Sequence, residues 1–291
     1  MTNPRAQIAV YKHAMAAGLV AILSAASSVS HAQRPAARSH GTTAQARNTG
    51  HASSGSRGAG RTSALAGVHP PTRPGDPERL DISGFAGAYF YRPAGRGNQR
   101  VLVYLHSRGA DPREACRTWH QSTPRFGWMV CPIGPHNHER GGSHRQWRND
   151  AGYARRESIA AIERLGTLFP RRVRRHDNVL MGFSEGAFVA MNVGLQEPET
   201  FPRWLIVASH DGYIDGERQR IERLRASNPR IYLITGRHDE IYHHSELTEA
   251  MLVRAFGRRR VKFRTLDHAG HELPPEFVPV TRRALLWLTA S

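Results

Sequence analysis

Between residues 80 and 290 the chain repeats one pattern: a short apolar run, a polar turn, then an amphipathic stretch. Val101-Leu102-Val103-Tyr104-Leu105 is apolar at every position, which predicts a strand covered on both faces. Trp128 to Cys131, Val179 to Phe183, Trp204 to Ala208 and Ile231 to Thr235 read the same way. Val261 to Leu266 alternates apolar and polar residues instead, as a strand at a sheet edge does. Gly87 to Tyr91 is expected at an antiparallel start of the sheet. Among the intervening stretches, 152–168 spaces Ile159, Ile162, Leu165 and Leu168 at three-residue steps, with Arg and Glu elsewhere. Segments 186–195, 217–227, 245–256 and 276–289 are similar, and Gly257 supplies a C-terminal stop. Strand and helix alternating over this length predict an α/β fold, a mostly parallel central sheet with helices on both faces. Only Asp211 to Gly216 separate the fourth apolar run from its helix, so no large cap domain is expected there.

The first 80 residues break this pattern twice. Arg5 and Lys12 precede an apolar stretch from Ala14 to Val29, and Ser30-His31-Ala32 follows with small residues at both cleavage-determining positions. Residues 1–32 therefore read as a signal peptide, the stretch being too short and too rich in Ala and Ser for a comfortable membrane span, with an uncleaved N-terminal anchor as the alternative. No Arg-Arg pair precedes it and no Cys sits near the cleavage site, so neither the twin-arginine route nor a lipid anchor is supported. Residues 33–80 are built from Arg, Ala, Gly, Ser, Thr, His and Pro, with Leu65 and Val68 as the only large aliphatics before Leu80. Such a segment cannot bury enough apolar surface to offset its chain entropy and is expected to be a disordered spacer. The catalytic domain is expected over 81–291, in a protein exported to the periplasm or beyond.

Charge changes this picture little. The net charge is +17, yet 39 of the 41 basic residues are Arg, a skew that points to base composition rather than to phosphate recognition. Residues 81–291 carry 32 basic and 22 acidic side chains, an ordinary mixed surface. Nucleic acid is not expected as the primary partner. The seven Arg of the spacer allow at most a loose contact with an anionic surface.

The candidate chemistry begins where the third run ends. Gly182-Phe183-Ser184-Glu185-Gly186 matches G-x-S-x-G, a short pattern that 27 Gly make easy to meet by chance. Its position at a strand-to-helix junction is what gives it weight. A sharp turn there lifts the Ser into the open, and side chains at Gly182 and Gly186 would collide with the neighbouring strand and helix. The helix start points its positive dipole end at the serine oxygen. Over roughly residues 80–290 the chain thus resembles the α/β-hydrolase family. In that family the order is Ser, then Asp or Glu, then His.

The resemblance implies a catalytic triad of Ser184, Asp239 and His271. Asp239 lies in Gly236-Arg237-His238-Asp239, after the fifth strand, with Glu240 and then Asp211 as alternatives. His271 matches a Gly-His ending in Asp267-His268-Ala269-Gly270-His271, with His268 three residues early. An oxyanion hole is implied from the amides of Arg108 and Glu185, with Ser107 as substitute for the first. The loop reads His106-Ser107-Arg108-Gly109, so Ser107 stands where the family usually has Gly. The Arg108 side chain is expected to be solvated, or else to reach a substrate carboxylate.

Cys116 and Cys131 are the only cysteines, and in an exported protein they read as one disulfide closing about 15 residues. His136, His138 and His144 fall in a polar loop before Trp147 that is expected to be flexible. His-x-His can bind an ion, but no Cys or carboxylate spacing completes a ligand set, so neither a metal nor another cofactor is expected. Together these features predict a serine hydrolase acting on a small-molecule or polymeric ester. The alternatives are a serine peptidase with the same triad and a non-catalytic surface-binding module that uses the basic spacer.

Overall fold

The computed structural model describes residues 65–210, 225 and 228–290. The expected signal peptide, most of the spacer, Asp211 with the short connection that follows it, and most of the helix expected at 217–227 lie outside the described residues. The described chain builds a nine-stranded sheet. Its strands are β1 (Val68–His69), β2 (Glu78–Leu80), β3 (Ala88–Tyr91), β4 (Val101–Leu105), β5 (Trp128–Pro132), β8 (Val179–Phe183), β9 (Arg203–Val207), β10 (Arg230–Gly236) and β11 (Val261–Leu266). A separate ribbon pairs β6 (His136–Asn137) with β7 (Arg145–Gln146). Helices α1 (Pro112–His120), α2 (Ala151–Leu168), α3 (Glu185–Gln196) and α4 (Tyr242–Phe256) lie between the strands, and α5 (Phe277–Thr289) follows the last of them.

The spatial order is β1-β2-β3-β5-β4-β8-β9-β10-β11. Pairings from β5 through β11 are parallel, and β1, β2 and β3 join antiparallel. This is the doubly covered sheet read from the apolar runs, with alternating β11 at the edge. In β4, Val101, Val103 and Leu105 pack with α2, α3 and α4 on one face. Leu102 and Tyr104 pack with α1 and α5 on the other. Every residue of β4 is buried, which is why its sequence shows no alternation.

The expected boundary of the spacer at residue 80 is corrected. Val68–His69 and Glu78–Leu80 hydrogen-bond into the sheet, so residues 65–80 belong to the folded domain. Leu80 is fully buried, Leu65 and Val68 pack against the core, and Glu78 pairs with Arg92 at 2.6 Å. Three apolar anchors suffice because ladder hydrogen bonds satisfy the backbone, a source of order that composition does not reveal.

Cys116 on α1 is bonded to Cys131 on β5, with Cα atoms 5.8 Å apart. Glu157 on α2 is completely buried. One of its carboxyl oxygens accepts from the Gly87 amide at 3.1 Å, and the other has no partner among the described residues. Burial pushes this carboxyl up to about 9.

Candidate active site

The turn from β8 into α3 is set by Ser184, whose φ of 53° and ψ of −125° lie where side-chain-bearing residues seldom go. Surrounding contacts hold it there. The Ser184 amide donates to the Val207 carbonyl on β9 at 3.0 Å. A Cβ on Gly186 would sit 2.0 Å from the Leu105 carbonyl oxygen, and one on Gly182 would sit 2.4 Å from the Gly186 oxygen. Only glycines allow α3 to approach β4 and β8 this closely. Strain of this kind costs of order 1–3 kcal/mol and persists where packing over-determines it.

His271 arrives on the loop between β11 and α5. Its Nε2 lies 2.8 Å from Ser184 Oγ and its Nδ1 lies 2.9 Å from Asp239 Oδ2. Asp239 follows β10 with its side chain fully buried, and its other oxygen accepts from the Ile241 amide at 3.1 Å. The hydrogen bond that His271 donates to Asp239 raises the His271 pKa above the ordinary imidazole value, against an opposing effect of burial. Glu240 and Glu272 add smaller upward contributions. The structure therefore brings Ser184, His271 and Asp239 together in one chain of hydrogen bonds. Glu240 is exposed and contributes only through charge, His268 is an exposed loop residue, and Asp211 lies outside the described residues.

The loop after β4 stands beside the serine. Among the described residues, the amides of Ser107, Arg108 and Glu185 donate to no backbone or side-chain acceptor. The rest of the loop is tightly held. The Gly109 amide donates to Arg145 O at 2.8 Å, and the Arg145 amide returns to Ala110 O at 2.9 Å. His106 is buried and pushed down to about 4 by desolvation, so it is neutral. Its Nε2 accepts from the Gly134 amide at 3.0 Å, which leaves Nδ1–H to donate to Ser107 O at 2.9 Å.

Two expectations at this loop are corrected. The Arg108 side chain is neither simply solvated nor free for a substrate carboxylate: its Nη2 lies 3.3 Å from Glu185 Oε1. The reason is that the Glu185 carboxylate, only 5% exposed, needs a cation. The segment around His136, His138 and His144 is the β6–β7 ribbon rather than an unstructured loop, since its polar residues serve the backbone. His138 N donates to His144 O at 3.0 Å, and Ser143 donates to Asp111 at 2.5 Å. Among the described residues no group of three or more His, Cys, Asp or Glu is placed to hold a metal ion. Sequence reasoning missed Trp147. It is buried, its amide donates to Glu185 Oε2 at 3.0 Å, and its indole N–H donates to His106 O at 2.9 Å. It is the one large apolar side chain in a polar stretch, the signal that marks it.

No family model and no curated protein matches the chain. Solved structures match its fold. Esterase PE8 is 20% identical over 68% of this chain and 97% of its own, with a TM-score of 0.52. Acyl-protein thioesterase 2 of Zea mays is 18% identical over 69% and 98%, with a TM-score of 0.53. The fluorophosphonate-binding serine hydrolase FphF of Staphylococcus aureus is 12% identical over 73% and 97%, with a TM-score of 0.55. The fold is that of the α/β-hydrolases.

Proposed function

We propose that the protein is an exported serine hydrolase that cleaves carboxylic esters through an acyl-enzyme on Ser184. The observation that carries this reading is His271, within hydrogen-bond distance of a strained serine on one side and a buried carboxylate on the other. Ser184 Oγ attacks the ester carbonyl while its proton passes to His271 Nε2. The carbonyl–alkoxide bond then breaks, and the imidazolium returns that proton to the departing alkoxide. Water repeats the sequence, frees the acid and restores the serine. Asp239 accepts from Nδ1–H, fixes the tautomer and stabilises the imidazolium. The amides of Arg108 and Glu185, with Ser107 as substitute for the first, donate to the developing oxyanion.

Esters are favoured over amides by fold neighbours that include an esterase and a thioesterase. Export is supported by Cys116–Cys131, because structural disulfides persist in oxidising compartments. The test is hydrolysis of p-nitrophenyl butyrate and of a short peptide p-nitroanilide by the full chain and by Ser184→Ala. The reading expects ester turnover lost with Ser184 and much slower anilide turnover. Faster anilide cleavage reassigns the protein to the peptidases, and no turnover of either substrate points to a non-catalytic surface-binding module.

A further inference from the structure

Glu185 is the residue after the nucleophile, and only its backbone amide has a role in the proposed chemistry. Its carboxylate is nonetheless buried, and one buried charge on the wall of a catalytic turn requires partners. One oxygen accepts from the Trp147 amide at 3.0 Å, and the other lies 3.3 Å from the Arg108 guanidinium. Trp147 in turn donates its indole N–H to His106 O, the residue that opens the oxyanion loop. The loop departs from the expected Gly at Ser107, while the residue beyond it, Arg108, is half-exposed and is held by no carboxylate other than Glu185 among the described residues.

We propose that the Glu185 carboxylate is a positioning residue that clamps the two oxyanion donors together, through Arg108 on one side and Trp147 on the other. This rests on the serine-hydrolase reading. The two donor amides belong to residues 77 positions apart in sequence, one on the loop after β4 and one at the start of α3. Their separation sets how well both N–H groups meet one oxygen. The ion pair joins the side chains of these same two residues, so it fixes that separation directly. Removing an oxyanion donor outright costs about 10²–10³ in turnover. A misplacement of about 1 Å costs up to about 10², so loosening the clamp is expected to cost about 10- to 100-fold.

The test uses the full oxidised chain and a neutral ester, so that substrate charge plays no part. Arg108→Leu removes the guanidinium but keeps the backbone amide, and Glu185→Gln keeps an acceptor for Trp147 while removing the charge. Both are expected to lower kcat about 10- to 100-fold with KM within threefold, measured well below the thermal midpoint, which Arg108→Leu lowers by leaving the buried Glu185 carboxylate without its cation. Binding of a trifluoromethyl ketone, whose adduct forms an oxyanion, is expected to weaken in parallel with kcat, and Arg108→Lys to recover part of the loss. A half-exposed arginine with no positioning role predicts kcat for Arg108→Leu within twofold of wild type, and that result overturns the clamp. A rise in KM with kcat intact overturns it too, in favour of direct substrate contact. If Glu185→Gln does not fold, Arg108→Leu decides alone. A wild type that neither hydrolyses esters nor reacts with a fluorophosphonate overturns the hydrolase reading and the clamp with it.

Discussion

Glu157→Gln should make the protein more stable at neutral pH, by an amount that grows with pH. The wild-type carboxyl sits in a fully buried site with one amide donor, and its pKa is raised from the ordinary 4.5 to about 9. In that interval the native state keeps a proton that the unfolded chain releases. The contribution of this group is therefore complete below pH 4.5 and is lost progressively as pH rises towards 9. Each unit of that interval costs about 1.4 kcal/mol, so wild type loses about 3 kcal/mol between pH 5 and pH 7 from this site alone. Glutamine has the same shape, accepts from the Gly87 amide through its carbonyl and carries no proton to lose. Urea unfolding at pH 5, 6, 7 and 8 measures the difference. The wild-type midpoint should fall across the series relative to Glu157→Gln, by about one proton's linkage. Parallel pH dependence of the two proteins would refute the assignment of Glu157 as a neutral buried acid.

Five further outcomes follow from the same geometry. Because the Asp239 hydrogen bond raises the His271 pKa, and the imidazole must be neutral to take the serine proton, kcat/KM for ester cleavage should rise with pH and level off only above the ordinary imidazole value. Asp239→Asn should shift that limb downward and cut turnover by about 10³–10⁴, read from pH-rate profiles. Reducing Cys116–Cys131 releases a 15-residue loop and should remove about 3 kcal/mol, visible as a lower thermal midpoint in reductant. Gly186→Ala forces a Cβ to 2.0 Å from the Leu105 carbonyl, so expression should give insoluble protein or a loss of at least about 3 kcal/mol by urea titration. Asp177 pairs with Arg100, Arg174 and Arg203, with Arg230 and Arg260 also acting on Arg203; Asp177→Asn should cost about 1 kcal/mol, less in high salt, which screens the exposed groups.

Elements with a strong apolar signature were legible from sequence, and pairings between distant polar side chains were not. Val101 to Leu105 announces a doubly covered strand because all five residues are apolar, and the alternation of Val261 to Leu266 announces an edge. The elbow was legible because steric crowding admits few residue types at 182 and 186, and that location then narrowed the search for acid and base to the ends of two later strands. Strands β1 and β2 escaped notice because they are two and three residues long, and each contributes a single apolar anchor, Val68 or Leu80, beside its ladder hydrogen bonds. Glu157 reads as a polar helix residue, since nothing local says that its face is covered by the Phe85–Gly87 turn. The Arg108–Glu185 pair joins a loop residue to the first residue of α3, 77 positions away, and has no sequence periodicity at all. The β6–β7 ribbon looks like loop composition because its side chains are spent on its own backbone and on Asp111.

The most direct measurement is reaction of the purified, oxidised full chain with a fluorophosphonate, followed by mass spectrometry of the labelled peptide. One phosphonate per chain is expected, on Ser184, absent in Ser184→Ala and strongly slowed in His271→Ala. A folded, disulfide-bonded protein that takes no label, or takes it at a serine other than Ser184, would contradict the claim that Ser184 is an activated nucleophile.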